Sequence, residues 1–392
     1  MYKVMMMAPV PFFEDRGTPM RILEISRSLQ SLGNRVTVYT YPLGRSVPGI
    51  QIVRSPRIPW YVDLPPGPTY RKILLDGLLA GTSLCGIASR SYDIAHASLH
   101  EGLAISSLMR VFKKIPLVFD AHGSLTDEMV AHNFVTKKGL EYKLWHTLES
   151  FLDRQADAII ASSPVNVERI ITVMGVDRRK VFLVGEGVDT ERFRPKYYVS
   201  DLKEKLGIPQ SRKVVVYLGL LSRGQGTCCL MRAIPHVLSH YDNVHFLVMG
   251  YPNSERYARM ARALGILERV TFTGKINYND APQYLCLGDI AVAPKISLQS
   301  EGNGKVYNYM ASGLPTVAFD HPVNRYILGE CGIYAKMADE ISLAQCLVKL
   351  LGDEKFAGTL ASQVRERAVK THTWASVAKR VMEIYQMVAE KA

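Results

Sequence analysis

Short apolar or β-branched runs alternate with amphipathic helical segments along the whole chain, and this alternation restricts its fold more than any other feature. In the first half the runs are KVMMMAP, RVTVYTY, DIAHAS, PLVFDA, DAIIASS and KVFLV, with TPMRILEISRSLQSLG and EYKLWHTLESFLDRQA among the helices between them. A second series follows with KVVVYLG, VHFLVMG, RVTFTG, DIAVAP and PTVAFD. This is the pattern of parallel sheets covered by helices on both faces. The polar, proline-punctuated stretch GEGVDTERFRPKYYVSDLKEKLGIPQSR separates the series and reads as an interdomain connection. At 392 residues the chain is too long for one ordinary core. We therefore expect an α/β protein of two Rossmann-like, doubly wound domains at 1–190 and 191–370, with a helix at 371–392 packing back toward the first. Ligands of such sheets sit beyond the carboxyl ends of the strands, and two domains of this kind facing each other place the active site in the cleft.

A hydrophobic fraction of 47% with 21% charged residues excludes bulk disorder. The net charge of +12 favours an anionic partner, whether nucleotide, nucleic acid or an anionic membrane surface, and charge does not choose among them. Cys85, Cys228, Cys229, Cys286, Cys331 and Cys346 lack the spacing of a zinc site and read as reduced, mostly buried thiols of a cytoplasmic protein. The start MYKVMMMAPVPFFEDRG is interrupted by prolines and acids and reads as a first strand rather than a leader. The apolar stretch ILLDGLLAGTSLCGIA carries Asp76 and two glycines, and no membrane span is expected from it.

Four loops that follow strands carry candidate chemistry. After the first strand, Arg16 and Gly17 precede a helix expected to be capped by Thr18 with Pro19 in its first position, a loop for phosphate or sugar, or a plain turn. In LVFDAHGSLTDEM, His122 stands before Gly123 and a capping Ser124. Such a histidine holds a substrate hydroxyl or moves a proton near neutral pH, or else is satisfied by packing. In YLGLLSRGQGTCCLMRAI, Arg223 is the cation placed for a diphosphate, with Gln225 a neutral donor near a helix opening at Gly226. In SEGNGKVYNYMASGLPTVAFD, Gly302 and Gly304 free the backbone at a helix start that suits an anion. Glu301 beside them accepts from neutral hydroxyls, together the features of a sugar nucleotide, although a turning loop explains the glycines equally. None of these fits G-x-G-x-x-G, which disfavours a dinucleotide dehydrogenase.

As an ordered set, DRGTP, DAHG, GEGVDTERFRP, YLGLLSRGQG, VTFTGKINYNDAPQYL and EGNGKVYNYMASGLPTVAFD resemble the retaining glycosyltransferases of family 4, over nearly the whole chain. The resemblance implies the GT-B fold and transfer of a sugar from a nucleotide-sugar donor, a UDP- or GDP-sugar, to an acceptor hydroxyl. It implies retention through same-face attack, with the donor phosphate taking the acceptor proton. It assigns Glu301 and His122 to the reacting sugar or acceptor. It carries the donor loop onto Glu301, Gly302, Asn303, Gly304, Lys305 and Val306, and the further donor residues expected are Gly17, Arg223, Gln225, Ile276 and Asn308. Two places depart from the family pattern: Asn308 stands one residue early for a second glutamate, and Leu220 and Gln225 stand where an arginine and a lysine are common. Arg223 and Lys305 are the cations available to offset that loss. No acidic motif for Mg²⁺ is present, so no metal is expected, and no cofactor besides the donor. The alternative is a non-catalytic nucleotide-sugar-binding or scaffold protein on the same fold.

The resemblance also points to glycolipid or polysaccharide synthesis, with a sugar or lipid-linked acceptor and no nucleic acid. RVFKK, TKKGLEYKLWH and the aromatics Trp60 and Tyr61 mix cations with apolar groups, as a reversible contact with the inner face of an anionic membrane requires.

Overall fold

The computed structural model describes residues 1–59, 64, 69, 71–132, 134–137, 139–195, 200–297 and 302–391. Glu301, Trp60, Tyr61 and Lys138 lie outside them. The chain forms two compact units: Met1–Gly187 with Gln299–Gly302 and Trp374–Ala392, and Val188–Leu298 with Asn303–Thr373.

The first unit is built in order from β1 (Lys3–Ala8), α1 (Gly17–Ser31), β2 (Arg35–Thr40), β3 (Gln51–Arg54), α2 (Arg71–Ser89), β4 (Ile94–Ser98), α3 (Leu99–Met109), β5 (Leu117–Ala121), α4 (Leu125–Ala131), α5 (Leu140–Gln155), β6 (Ala158–Ala161), α6 (Pro164–Thr172) and β7 (Val181–Leu183). The second contains α7 (Ser200–Lys205), β8 (Lys213–Leu218), α8 (Thr227–Leu238), β9 (Val244–Met249), α9 (Ser254–Ala263), β10 (Val270–Gly274), α10 (Ala281–Leu285), β11 (Ile290–Ala293), α11 (Gly304–Ala311), β12 (Thr316–Phe319), α12 (Pro322–Leu328), β13 (Ile333–Ala335), α13 (Glu340–Gly352) and α14 (Glu354–Thr371). The last helix, α15 (Trp374–Ala389), belongs to the first unit.

Both sheets are parallel, ordered β3-β2-β1-β4-β5-β6-β7 and β10-β9-β8-β11-β12-β13. The strand order reverses between β1 and β4 in one sheet and between β8 and β11 in the other. The loops leaving these strands therefore diverge and open a crevice.

The pleat explains why the strands read as continuous apolar runs. Val4, Met6 and Ala8 face a cluster with Ile22, Leu29, Val381 and Ile384, while Met5 and Met7 face one with Leu75, Leu79 and Leu103. In the second unit Tyr217 and Phe246 pack with Leu230 and Ile234 of α8 and Leu347 of α13.

Several sequence expectations change. β3 and β13 were not expected from the sequence; both are short edge strands with half-buried residues. Thr18 does not cap α1: the helix begins at Gly17 behind an extended Arg16, with no side-chain cap, and Thr18 lies inside the first turn. Among the six cysteines only Cys229 is buried, and Cys85 is exposed. The apolar run expected to fall short of a membrane span continues through α2. Lys72–Ser89 has a mean hydropathy of 1.3 and is long and apolar enough to cross a bilayer. Leu75, Leu79 and Ile87 on its inner side belong to the core of the first unit.

Candidate active site

In the first unit the candidate residues gather where β1, β4 and β5 end. Asp120, the penultimate residue of β5, is 1% exposed. It receives a bidentate contact from Arg21 of α1, Nε to Oδ2 at 2.8 Å and Nη2 to Oδ1 at 3.0 Å. Arg21 also donates to the carbonyls of Val184 and Gly185. Burial alone would raise the Asp120 carboxyl, but Arg21 first and then His122 and His96 outweigh it and hold the group well below the usual carboxylate range. His122 turns Nε2 toward Asp120 Oδ2 at 3.5 Å, and His96 does so at 3.9 Å. The other ring nitrogen of His96 meets the hydroxyl of Tyr385 in α15 at 2.6 Å. Neither Nε2 is hydrogen-bonded among the described residues, so the carboxylate acts on both rings through its charge, a setting suited to a histidine that handles a proton.

The loop after His122 is held from α5. Glu149 accepts from the backbone N–H groups of Leu125 and Thr126, from the Ser124 and Thr126 hydroxyls, and from Arg169 at 2.9 Å. Ser124 caps α4 as expected, accepting from Asp127 N. His100 Nε2 lies 3.2 Å from Asp153 and 3.6 Å from Glu149. Burial lowers the pKa of His100, but Asp153 and then Glu149 reverse this and raise it above its usual value. Among the described residues these three form the cluster with metal-ligand chemistry. The oxygens of Glu149 are already taken by donors, and Arg169 and the imidazole balance the two carboxylates, so the arrangement fits a clamp on the loop better than a metal. At Gly17, the remaining first-unit candidate, an added Cβ would meet nothing within 4 Å, so no close approach demands glycine there.

In the second unit β8 leads through a turn into α8, whose N-cap is Gly226 at φ 76°. A Cβ there would lie 1.6 Å from the carbonyl oxygen of Pro294, so only glycine fits. The Gly224 carbonyl accepts from Ile296 N and Ser297 N at 2.9 and 2.8 Å, tying the exit of β11 to this turn. Lys305, in the first turn of α11, donates to Gln225 Oε1 at 2.9 Å and approaches the Tyr217 hydroxyl at 3.4 Å. Its ammonium stands 4.4 Å over the Tyr217 ring. These partners are all neutral. Burial, and then the charge of Lys295, push the pKa of Lys305 down to about 7. Lys295 itself, just past β11, is 7% exposed. His321, the N-cap of α12, accepts from Val323 N through Nδ1, and burial followed by Lys295 holds its pKa below the usual value.

The remaining candidates are dispersed. Asn303, buried at the start of α11, donates to Asn324 Oδ1 at 2.9 Å and braces the loop. Gly304 is the first residue of α11, Val306 is core, and Asn308 is half-buried on the same helix. Ile276 is half-buried in the loop after β10. Arg223 is exposed, with no ion pair among the described residues. A Cβ on Gly302 would lie 2.8 Å from Glu186 Oε1, both in the first unit. The sequence reading passed over Asp120, Arg21, Tyr217 and Lys295. A lysine directly after the buried run DIAVAP was the available signal for Lys295.

The chain matches two family models, Glycosyltransferase Family 4 over residues 16–192 and Glycosyl transferases group 1 over 212–353. It is 25% identical over 410 aligned positions to a phosphatidyl-myo-inositol mannosyltransferase of Mycobacterium leprae, covering 99% of this chain and 97% of the relative. It is 28% identical over 296 positions to the putative glycosyltransferase EpsD of Bacillus subtilis, covering 72% and 74%. Among solved structures, sucrose-phosphate synthase from Thermosynechococcus elongatus superposes with a TM-score of 0.82 at 18% identity, covering all of both chains. Anabaena HepE in complex with UDP gives 0.78 at 16% identity, covering 98% of this chain and 100% of that one. At these identities the solved structures speak to the fold, which is GT-B. With the two family models accounting for most of the chain, the protein belongs to the retaining, nucleotide-sugar-dependent glycosyltransferases of family 4.

Proposed function

We propose that this protein is a hexosyltransferase that moves a sugar from a UDP- or GDP-sugar to an acceptor hydroxyl with retention, in glycolipid or polysaccharide synthesis. The observation that carries the donor half is Lys305. A half-buried lysine whose ammonium is held among the described residues by neutral groups, with the charge of the buried Lys295 acting on it and at a helix start without acids in its first turn, is matched to a diphosphate. Gln225 presents Lys305 where the family more often has a lysine at Gln225's own position, which weighs against the non-catalytic alternative. Glu301 orients the sugar, His122 with Asp120 behind it contacts the reacting sugar or acceptor, Gly17, Arg223, Ile276, Gly302, Gly304 and Asn308 are the further donor contacts, and Asn303 and Val306, both buried, hold the start of α11 in place behind them. The leaving diphosphate oxygen takes the acceptor proton.

A thermal-shift screen of UDP, GDP and ADP identifies the base, since a ligand that binds the native state raises the melting temperature by mass action. No shift with any of them removes the reading. Lys305→Met is expected to weaken nucleotide-sugar binding by roughly 1.5–3 kcal/mol, the scale of a lost charged hydrogen bond. In the parent, affinity is full where Lys305 is protonated and falls as pH rises through about 7. The bound diphosphate favours the charged form, so binding in that range takes up a proton. Titration calorimetry with a nucleotide sugar from about pH 6 to about pH 9 reads both effects. A slope that persists in Lys305→Met assigns it to another group.

We also place the protein at the inner face of the membrane. Support comes from α5, whose inner side carries Glu149 and Asp153 while Leu140, Leu144, Leu148 and Phe151 stand exposed, Leu140 at 88%. Arg110 at the end of α3 bonds the carbonyl of Gln155 at the end of α5, and beside it Leu108, Val111 and Phe112 are exposed with Lys113 and Lys114. Apolar groups rimmed by cations suit an anionic bilayer. In liposome sedimentation, binding should rise with anionic lipid and fall with salt. Lys113→Gln with Lys114→Gln should weaken it by roughly 30-fold, at about 1 kcal/mol per cation. Equal partitioning to neutral and anionic vesicles, or none, leaves an acceptor in solution.

A further inference from the structure

In the first sheet, His96 of β4 comes two residues after Ile94, and Asp120 of β5 two residues after Val118, so the pleat turns both toward the core that Ile94 and Val118 share. Such positions in strands buried on both faces are ordinarily apolar. Here α1 brings Arg21 to Asp120, and α15 brings Tyr385 to His96. The Tyr385 hydroxyl lies 2.6 Å from Nδ1 of His96 and has no other hydrogen-bond partner among the described residues. Burial first, and then the charge of Asp120, hold its pKa well above the usual value, so it stays a hydroxyl. With one proton to donate and one acceptor in reach, it gives that proton to Nδ1, and the ring proton of His96 therefore sits on Nε2. The opposite tautomer would leave the hydroxyl proton without an acceptor and turn a ring lone pair toward a carboxylate. Tyr2 and His96 both meet the Tyr385 ring edge-on, at 6.2 and 5.9 Å, and keep the phenol in place.

Nε2 of His96 is buried and faces Asp120 Oδ2 at 3.9 Å. The same oxygen accepts from Arg21 Nε at 2.8 Å and stands 3.5 Å from Nε2 of His122. One carboxylate oxygen is thus shared by a guanidinium, a histidine inside the sheet and the candidate histidine of the site. Resting on the assignment of His122 to the reacting sugar or acceptor above, we propose that Tyr385 and His96 are positioning residues for the transfer: the hydroxyl locks His96 with its N–H toward Asp120, and Asp120, braced from that side, holds the His122 ring at the reacting centre by its charge. Tyr385 and His96 are themselves buried and act only through the carboxylate. The role spans the chain, since Tyr385 lies 289 residues beyond His96.

Nitrogen-15 NMR of the histidine-labelled full chain at neutral pH reads the tautomer without any substrate, with His96→Leu identifying the signals. In the parent, Nε2 of His96 should carry the proton and Nδ1 should not, and in Tyr385→Phe that pattern should be lost as the ring samples both forms. Hydrolysis of the nucleotide sugar whose base the thermal-shift screen selects supplies the kinetic arm. Tyr385→Phe should lower kcat by about tenfold or more, part of what a proton-handling group contributes, and leave KM within about twofold. His96→Leu should lose as much, and His96→Gln, whose amide can accept from the hydroxyl and donate to the carboxylate, should recover at least about threefold of it. Tyr385→Phe combined with His96→Leu should be no worse than His96→Leu alone, because the two residues act as one unit. Thermal transitions check that each variant is folded. A proton on Nδ1 of His96 in the parent, an unchanged ring pattern in Tyr385→Phe, or parent-like kcat in that variant overturns the proposal. Absence of turnover with every nucleotide sugar in the parent removes the transferase reading and this role with it, whereas turnover in the parent with any of those three results removes this role alone.

Discussion

Arg21→Met is expected to lower the unfolding free energy of the first unit by about 3–5 kcal/mol, the cost of leaving one member of a buried ion pair alone. Arg21 and Asp120 are 3% and 1% exposed, and the guanidinium also satisfies two carbonyls beyond β7. Methionine keeps most of the volume, so the loss reports charge and hydrogen bonding rather than a cavity. All three tryptophans, Trp60, Trp145 and Trp374, fall in the first unit, so denaturation followed by intrinsic fluorescence reads that unit alone. The effect has a pH sign. In the parent the carboxyl is held low by Arg21, so its stabilisation is present above the ordinary carboxylate range and disappears only as pH falls well below it. In Arg21→Met burial raises the same group, so the deficit should shrink on mild acidification. Adding Asp120→Leu should recover much of the loss. A deficit below about 1 kcal/mol would mean that His96 and His122 already balance Asp120 without the arginine.

The second large effect belongs to Glu301→Gln, expected to lower kcat/KM by roughly 10²-fold or more, about 2.7 kcal/mol of transition-state stabilisation. Glu301 is outside the described residues, but the chain on both sides of it is pinned. Ile296 and Ser297 hang from the Gly224 carbonyl, and Asn303 is fixed to Asn324. A carboxylate spanning those anchors sits in sequence between Lys295 and Lys305, where a glutamine keeps the size and loses the charge. Hydroxyl bonds to an ionised acceptor tighten as the sugar gains positive character, so the loss should fall on kcat more than on KM. Glu301→Asp, which keeps charge and shortens reach, should lie between the two. Parent-like kinetics in a folded Glu301→Gln protein would remove Glu301 from the chemistry.

The interior strands were legible because strands buried on both faces are written as unbroken apolar runs, as in β1 and β9, where only Lys3 at the start of β1 is exposed. β3 and β13 were not, because an edge strand of half-buried residues such as QIVR carries no comparable signal. The start of α1 was misplaced because Thr18 and Pro19 form a good cap-and-first-turn pair on paper, yet the backbone had already become helical at Gly17. Within the site, Gln225 and Lys305 could each be picked out, but their contact depends on α8 and α11 following neighbouring strands. The pairing of Arg21 with Asp120 spans 99 residues and had no local trace.

The position of α15 sets an order of events during synthesis. Val377, Ala378, Val381 and Ile384 fill the same core as Ile22 and Val36, although the whole second unit separates them in the chain. A ribosome releases the apolar face of α1 before the second unit and the helix that covers it after, so the second unit can close while the first still waits with one wall open. A chain cut short before Tyr385 would keep every residue of the second unit and still lose the hydroxyl that meets His96, whose other nitrogen faces Asp120. In this architecture a helix made after the second unit governs whether the histidine network of the first is finished.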